Sequence, residues 1–134
     1  MSVARSDRLA VRSGEDLLHL RQMVRQWAVD IGFGLLDQTR IVTAASELGR
    51  NMVDFAGGGV VRLEELADLG RRGLRLTFED HGPGIPDVEL ALRDGYSTGS
   101  GLGLGLGGAR RLVNEFSIAS KVGSGTTVAI TRWR

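Results

Sequence analysis

Gly99-Ser-Gly-Leu-Gly-Leu-Gly-Leu-Gly-Gly108 puts six glycines into ten residues, directly before a segment with helical apolar spacing (Ala109, Leu112, Val113, Phe116). The whole chain has 20 glycines in 134 residues, about twice ordinary usage, and this run holds the local excess. Low-complexity disorder would scatter glycine among Ser and Pro and would not sit beside 42% hydrophobic residues. A glycine loop opening into a helix exposes backbone amides that attract phosphate. A glycine hinge that only permits tight helix–sheet packing is the alternative. Two common phosphate motifs are excluded. Gly103, Gly105 and Gly108 spell GxGxxG, but no strand precedes them and no acidic residue follows at about twenty positions. A P-loop requires a lysine in the motif, and the only lysine is Lys121. The Lys, HRD and DFG elements of eukaryotic-type protein kinases are missing as well.

Upstream, Leu74, Leu76 and Phe78 alternate with Arg75, Thr77 and Glu79, the two-residue period of a half-buried strand. That period places Asp80 on the apolar side, at the core edge. A carboxylate there needs hydrogen-bond partners. It either caps its own loop or accepts a hydrogen bond from an exocyclic amine such as that of adenine. The segment Asp80-His-Gly-Pro-Gly-Ile-Pro86 reads as a loop, because its Pro and Gly residues disfavour regular pairing. His81 beside it is expected to be exposed.

Further upstream lies a helix with apolar positions Ile41, Ala44, Leu48, Met52 and Phe55, flanked by a polar stripe of Thr43, Glu47, Asn51 and Asp54. Glu47 and Asn51, one turn apart, offer a carboxylate base and an amide oxygen for Mg²⁺. A solvated helix face is the competing reading. Asp37 is expected to cap this helix and Gly57-Gly-Gly59 to end it. The preceding helix opens with the capping-box sequence Ser13-Gly-Glu-Asp16 and stops at Gly32-Phe-Gly34. Between these helices and the glycine run come a strand around Val61 and Leu63, a turn at Gly70–Gly73, and a short helix near 87–93. A helix over 108–116 and a hairpin around Gly123-Ser-Gly125 close the chain. The order predicts an α+β fold: a two-layer sandwich with helices on one face of a mixed, mostly antiparallel sheet.

Length and composition narrow the function. One domain spanning 1–134 is expected. With no cysteine and only His19 and His81, thiol chemistry, disulfides and multi-histidine metal sites are excluded. Net charge is +1, and the pairs Arg71-Arg72 and Arg110-Arg111 lack interleaved aromatics, so no nucleic-acid partner is expected. No membrane-spanning run or signal-peptide stretch is read, and a cytoplasmic location is expected.

Taken together, Glu47-x-x-x-Asn51, Asp80-x-Gly-x-Gly84 and Gly101-x-Gly-x-Gly-x-Gly107 resemble the N, G1 and G2 boxes of the GHKL (Bergerat) ATP-binding fold. Gly-Ser-Gly-Thr126 is similar to that fold's last conserved threonine segment. Asp-x-Gly-Pro-Gly-Ile-Pro-Asp87, Gly-Tyr-Ser-Thr98 and Glu-Phe-Ser-Ile118 resemble RsbT-type switch-protein kinases over nearly the whole chain. The resemblance implies a serine/threonine kinase that uses ATP and Mg²⁺. Its substrates would be STAS-domain antagonists or scaffolds of the stressosome, and it would then bind and activate a PP2C-type phosphatase.

Carried over by position, Glu47 would be the general base and Asn51 the Mg²⁺ ligand. Asp80 would read adenine with Thr126 assisting through water, and Gly82 and Gly84 would line the pocket. Gly101, Leu102, Gly103, Gly105 and Gly107 would wrap the phosphates. Leu104 and the Gly107-Gly108 pair depart from the expected pattern. No lysine occupies a motif position, which leaves transition-state charge to Mg²⁺, amides and an arginine such as Arg50 or Arg110. The alternative is a nucleotide-binding partner-switch module without turnover, acting as anti-sigma factor or phosphatase activator.

Overall fold

The computed structural model describes residues 1–93 and 105–134. The chain runs β1 (Ser2–Val11), α1 (Gly14–Ile31), α2 (Leu35–Ala56), β2 (Gly59–Asp68), β3 (Arg71–Asp80), α3 (Val88–Ala91), α4 (Gly105–Arg111), β4 (Glu115–Lys121) and β5 (Gly125–Trp133). Five strands form one sheet in the order β1-β2-β3-β5-β4, antiparallel at every described pairing. Helices α1 and α2 cover one face, giving the expected two-layer α+β sandwich.

Local chemistry accounts for the helix ends. The Ser13 hydroxyl accepts the Asp16 amide at 3.2 Å and caps the helix, and the Asp16 carboxylate reaches back past the cap to the Arg12 amide at 2.9 Å. Gly32 takes the left-handed conformation (φ 99°) that ends α1, and Gly57 (φ 73°) does the same for α2.

Register explains how the core is built. Leu63, Leu76, Ile130 and Phe116 lie opposite one another across four strands, and Val61, Phe78, Val128 and Ile118 form the next row. Against them pack Leu20, Val24, Ile41 and Leu48 from the helices, all buried. Each such side chain contributes about 1.5–3 kcal/mol on leaving water.

The structure corrects several sequence-based expectations. Strand β1 was not anticipated. It is an edge strand on which Val11 alone is buried, so it carries no inside–outside alternation to read. The turn before β3 is the tight pair Leu69-Gly70 (φ 49° and 83°) rather than Gly70–Gly73. Gly73 lies within the strand under the Trp133 ring. The last helix begins at Gly105 and ends at Arg111, so Phe116 belongs to β4.

Asp37 does not cap α2; Gly34 occupies that position. Instead, Asp37 meets Arg132, which lies beside Leu74 in register. The Arg132 guanidinium donates to Asp37 at 2.7 Å and to the Leu112 carbonyl at 2.9 Å. A largely buried cation is therefore neutralised, and the start of α2 is tied to β5 and to the segment after α4.

The Arg132 hydrogen bond, together with charge from Arg132 and Arg40, holds the Asp37 carboxyl below its ordinary range against an opposing burial effect. A depressed folded value means that the pair stabilises the protein above the unfolded carboxylate pKa and loses that contribution as pH falls through the folded value. Asp37→Asn should lower the thermal midpoint at neutral pH by about 3–6 °C. Scanning calorimetry should show that gap shrinking as the pH drops below the ordinary carboxylate range; a gap independent of pH would contradict the assignment.

Candidate nucleotide-binding site

The inward face of the sheet changes character at one end. Two residues beyond Phe78, Val128 and Ile118, the same face presents Asp80, Thr126 and Ser120, which are opposite one another in register. Strand pairing thus gathers a carboxylate and two hydroxyls at the rim of an apolar core. Beside them opens a cavity of ≈ 470 Å³ bounded by α2, the loop after β3, α3, the first turn of α4 and β5. Its walls are mainly apolar (Met52, Phe78, Ile85, Leu106, Val128), with Asn51, Asp80 and Thr126 as convergent polar groups. Such a composition suits a flat, mostly apolar ligand that carries a few polar atoms.

Asp80 is fixed through one oxygen. Its Oδ1 accepts the Gly82 amide at 2.9 Å and the Thr126 amide at 3.2 Å. Its Oδ2 receives no hydrogen bond from the described residues, leaving an acceptor for a ligand N–H. The loop-capping reading of Asp80 is thus met on one oxygen by the Gly82 and Thr126 amides. Thr126 is bonded in turn, its hydroxyl lying 2.8 Å from that of Ser120.

The G1-type glycines are required by backbone approach. A Cβ on Gly82 would sit 2.5 Å from that of Ala56. Gly84 lines the cavity with φ +79°, and a Cβ there would run into the Lys121 carbonyl oxygen. Gly125, at φ +119°, brings β5 against the Asp80 backbone in the same way.

Asn51 faces the cavity from α2. Glu47, one turn earlier, is buried at 4% exposure and is not among the described lining residues. Gly105 (φ +60°) opens α4 and lines the cavity. Gly107 does not; it is buried within α4, with the space for its Cβ filled by the Leu92 carbonyl. Gly101, Leu102 and Gly103 lie outside the described residues. Arg50 and Arg110 do not line the cavity, Asp54 is exposed, and His81 is open to solvent. Sequence reasoning missed Ser120, although the alternation from Ile118 already placed it on the Thr126 side.

The donor set is compatible with ATP and Mg²⁺. Among the described residues there is no cluster of three or more His, Asp or Glu that could hold a metal. The Asn51 amide is an oxygen donor of the kind Mg²⁺ takes and could hold such an ion together with a ligand's oxygens and water. No helix of the described residues is long and apolar enough to cross a membrane.

The apolar cavity rimmed by a fixed aspartate, a threonine and a helical asparagine lies in a domain of the ATPase class. Residues 36–133 match the family described as histidine kinase-, DNA gyrase B-, and HSP90-like ATPases, and the chain belongs to that GHKL family. Within it the chain is an RsbT-like serine/threonine kinase. It is 48% identical over 118 residues to the serine/threonine-protein kinase RsbT of Bacillus subtilis (strain 168), spanning 88% of this chain and 89% of that protein. Two solved structures share the fold. The RsbU and RsbW domains of Rv1364c from Mycobacterium tuberculosis superpose with a TM-score of 0.66 at 24% identity, over 98% of this chain and 33% of that one. The histidine kinase domain of the blue-light activated kinase EL346 from Erythrobacter litoralis gives 0.51 at 25% identity, over 89% of this chain and 59% of that one.

Gly84→Ala should strain the loop carrying Ile85 and reduce nucleotide affinity by about tenfold or more, since a left-handed backbone and a carbonyl contact both oppose a side chain there. Calorimetric titration with ATP checks this; unchanged affinity would show that the loop relaxes without reshaping the cavity.

Proposed function

We propose that this chain is a single-domain ATP:protein phosphotransferase. It would phosphorylate a serine or threonine on a STAS-domain antagonist or scaffold protein and then activate a PP2C-type phosphatase by binding, in a cytoplasmic partner-switching pathway. The observation that carries the reading is the 48% identity to a serine/threonine-protein kinase over nearly the whole chain, and the cavity where Asp80, Asn51 and Thr126 converge supports it.

In this mechanism the Asp80 Oδ2 accepts the adenine amine while its Oδ1 stays on the two backbone amides. Apolar walls from Met52, Ile85 and Leu106 hold the base and exclude water. Asn51 contributes its amide oxygen to Mg²⁺, which when bound offsets triphosphate charge. The glycine run that leads into Gly105, which opens α4 at the cavity, would supply amides to the phosphates. Glu47 takes the proton from the partner's hydroxyl as that oxygen bonds to the γ-phosphorus and the bond to ADP breaks. Phosphoryl transfer of this kind depends mainly on positioning and charge stabilisation, which a compact domain can supply without a covalent enzyme intermediate.

The two carboxylates separate by experiment. Asp80→Asn replaces an acceptor oxygen by either a donor or a misplaced amide, and ATP binding by calorimetry should fall below detection; wild-type affinity would remove the adenine role. Glu47→Ala should bind ATP normally while transfer of labelled phosphate to a STAS protein drops by about a hundredfold or more. A normal transfer rate would eliminate Glu47 as base, and absence of transfer by the wild type would favour the module without turnover.

A further inference from the structure

Residues of a strand alternate between the two faces of its sheet, so the row beside Leu63, Leu76, Ile130 and Phe116 points away from α1 and α2. That row is Arg8, Arg62, Thr77, Ala129 and Ser117, opposite one another in register across all five strands. Arg8, Arg62 and Ser117 are exposed. Beyond the two arginines the face is a floor of small uncharged side chains, continued by Thr127 and Ala119 in the next row.

Like charges directly opposite in a sheet are destabilising. Arg8 and Arg62 form such a pair, and neither guanidinium has a hydrogen bond or ion pair among the described residues. The charges around them are taken. Arg75 in the following row bonds to Glu64 at 2.9 Å, Glu115 accepts the Trp133 ring N–H, and Glu79 lies 3.8 Å from the His81 ring. Two positive charges are therefore left open at one end of a small-residue surface, at a cost to the fold that no contact among the described residues offsets.

The dimensions suit a helix laid along that row, across the strands. Cβ atoms of an opposed pair are about 4.5–5.5 Å apart, and residues one turn apart on a helix are about 5–6 Å apart. Carboxylates at i and i+4 would then meet Arg8 and Arg62 together. Strand spacing of about 4.8 Å makes the row about 19 Å long over its four gaps, or about thirteen helical residues. The turns after the carboxylates would rest small or apolar side chains on Thr77, Ala129 and Ser117.

We propose that this outer face docks an acidic amphipathic helix of a partner protein, with Arg8 and Arg62 as its anion anchors. The face lies across the sheet from the cavity, so the docked partner is not the one that presents its hydroxyl to ATP. Of the two partners in the functional reading above, on which this inference rests, that leaves the phosphatase. Phosphoryl transfer and phosphatase binding then use opposite faces of one sheet, and Arg8 and Arg62 govern only the second.

Calorimetry measures binding of the PP2C-type phosphatase to the full wild-type chain, to Arg8→Glu with Arg62→Glu, and to Arg8→Lys with Arg62→Lys. ATP affinity, transfer of labelled phosphate to the STAS protein and thermal unfolding are followed in parallel. The double reversal should weaken phosphatase binding by about thirtyfold or more and remove its decline with added salt, with ATP affinity and transfer unchanged. The lysine pair should keep the salt dependence and lose at most about fivefold. Arg62→Glu alone should raise the thermal midpoint by about 1–4 °C, since it replaces a repelling cross-strand pair by an attracting one, while still weakening the phosphatase. Phosphatase affinity within about twofold of wild type after the double reversal would overturn the docking surface. So would a parallel loss of phosphate transfer, or a lower midpoint in Arg62→Glu, because either would make the arginines part of the fold. A wild type that does not bind the phosphatase at all would overturn the partner reading itself, and the docking surface with it.

Discussion

One oxygen of Asp80 bonded to the amides of Gly82 and Thr126 is the constraint on which the site depends. A carboxylate at the edge of an apolar core is costly unless hydrogen-bonded, and here two backbone donors meet that need before any ligand arrives. Both lie on the same oxygen, so the orientation of the carboxylate is set by a geometry that belongs to the backbone. The arrangement requires Gly125 at φ +119° against the Asp80 backbone and Gly82 pressed on Ala56. Loosening either strand end would release the carboxylate from its orientation, and the ligand would then bear the ordering cost that the fold now meets in advance.

The sheet extends that logic to the opposite end of the molecule. Its inward face is apolar through two full rows and polar at both ends, with Arg132 at one limit and Asp80, Thr126 and Ser120 at the other. Helix α2, 22 residues long, spans about 33 Å at the standard rise, close to the length of the ten-residue strands beneath it. It is tied at its start by Asp37 to Arg132 and seated at its end by Ala56 against Gly82. The polar positions Glu47 and Asn51 fall in the half of α2 that approaches the cavity. Their placement follows from helix length and end contacts rather than from any contact they make with each other.

Much of this was legible in residue order. Glycine breakers delimited α1 and α2 at Gly32 and Gly57, period-two alternation gave β3 and the inward face of Asp80, and the three spaced motifs gave the family. Other features depend on partners far away in sequence. Asp37 looks like a helix cap until Arg132, 95 positions later, competes for it; a long-range ion pair leaves no local spacing to read. Strand β1 buries almost nothing and is held largely by pairing with β2 and by Arg5 lying 3.7 Å over the Trp27 ring and bonded to Asp30. Ser120 showed the correct alternation, but serine on an edge strand is an ordinary surface residue until its cross-strand neighbour is known.

The glycines divide by physical cause, and the division bears on how the cavity is held together. Gly82, Gly84 and Gly125 are small because backbone from another segment occupies the place of a Cβ; Gly107, read in sequence as a phosphate contact, is small because the Leu92 carbonyl lies against α4. That contact joins the end of α3 to α4, and Ala91 and Leu92 pack on the core beside it, although α3 itself has no buried residue. One side of the cavity is therefore core, built from Met52, Phe78 and Val128 on the long elements. The other is a thin wall of Ile85, Leu90, Ala91 and Leu106 from short segments, of which Leu106 alone is fully buried. A purine placed between them would give the half-exposed side chains of the thin wall the apolar neighbour they lack, and its binding energy would add to the stability of that wall by mass action. On this side of the molecule a bound nucleotide would complete the hydrophobic core.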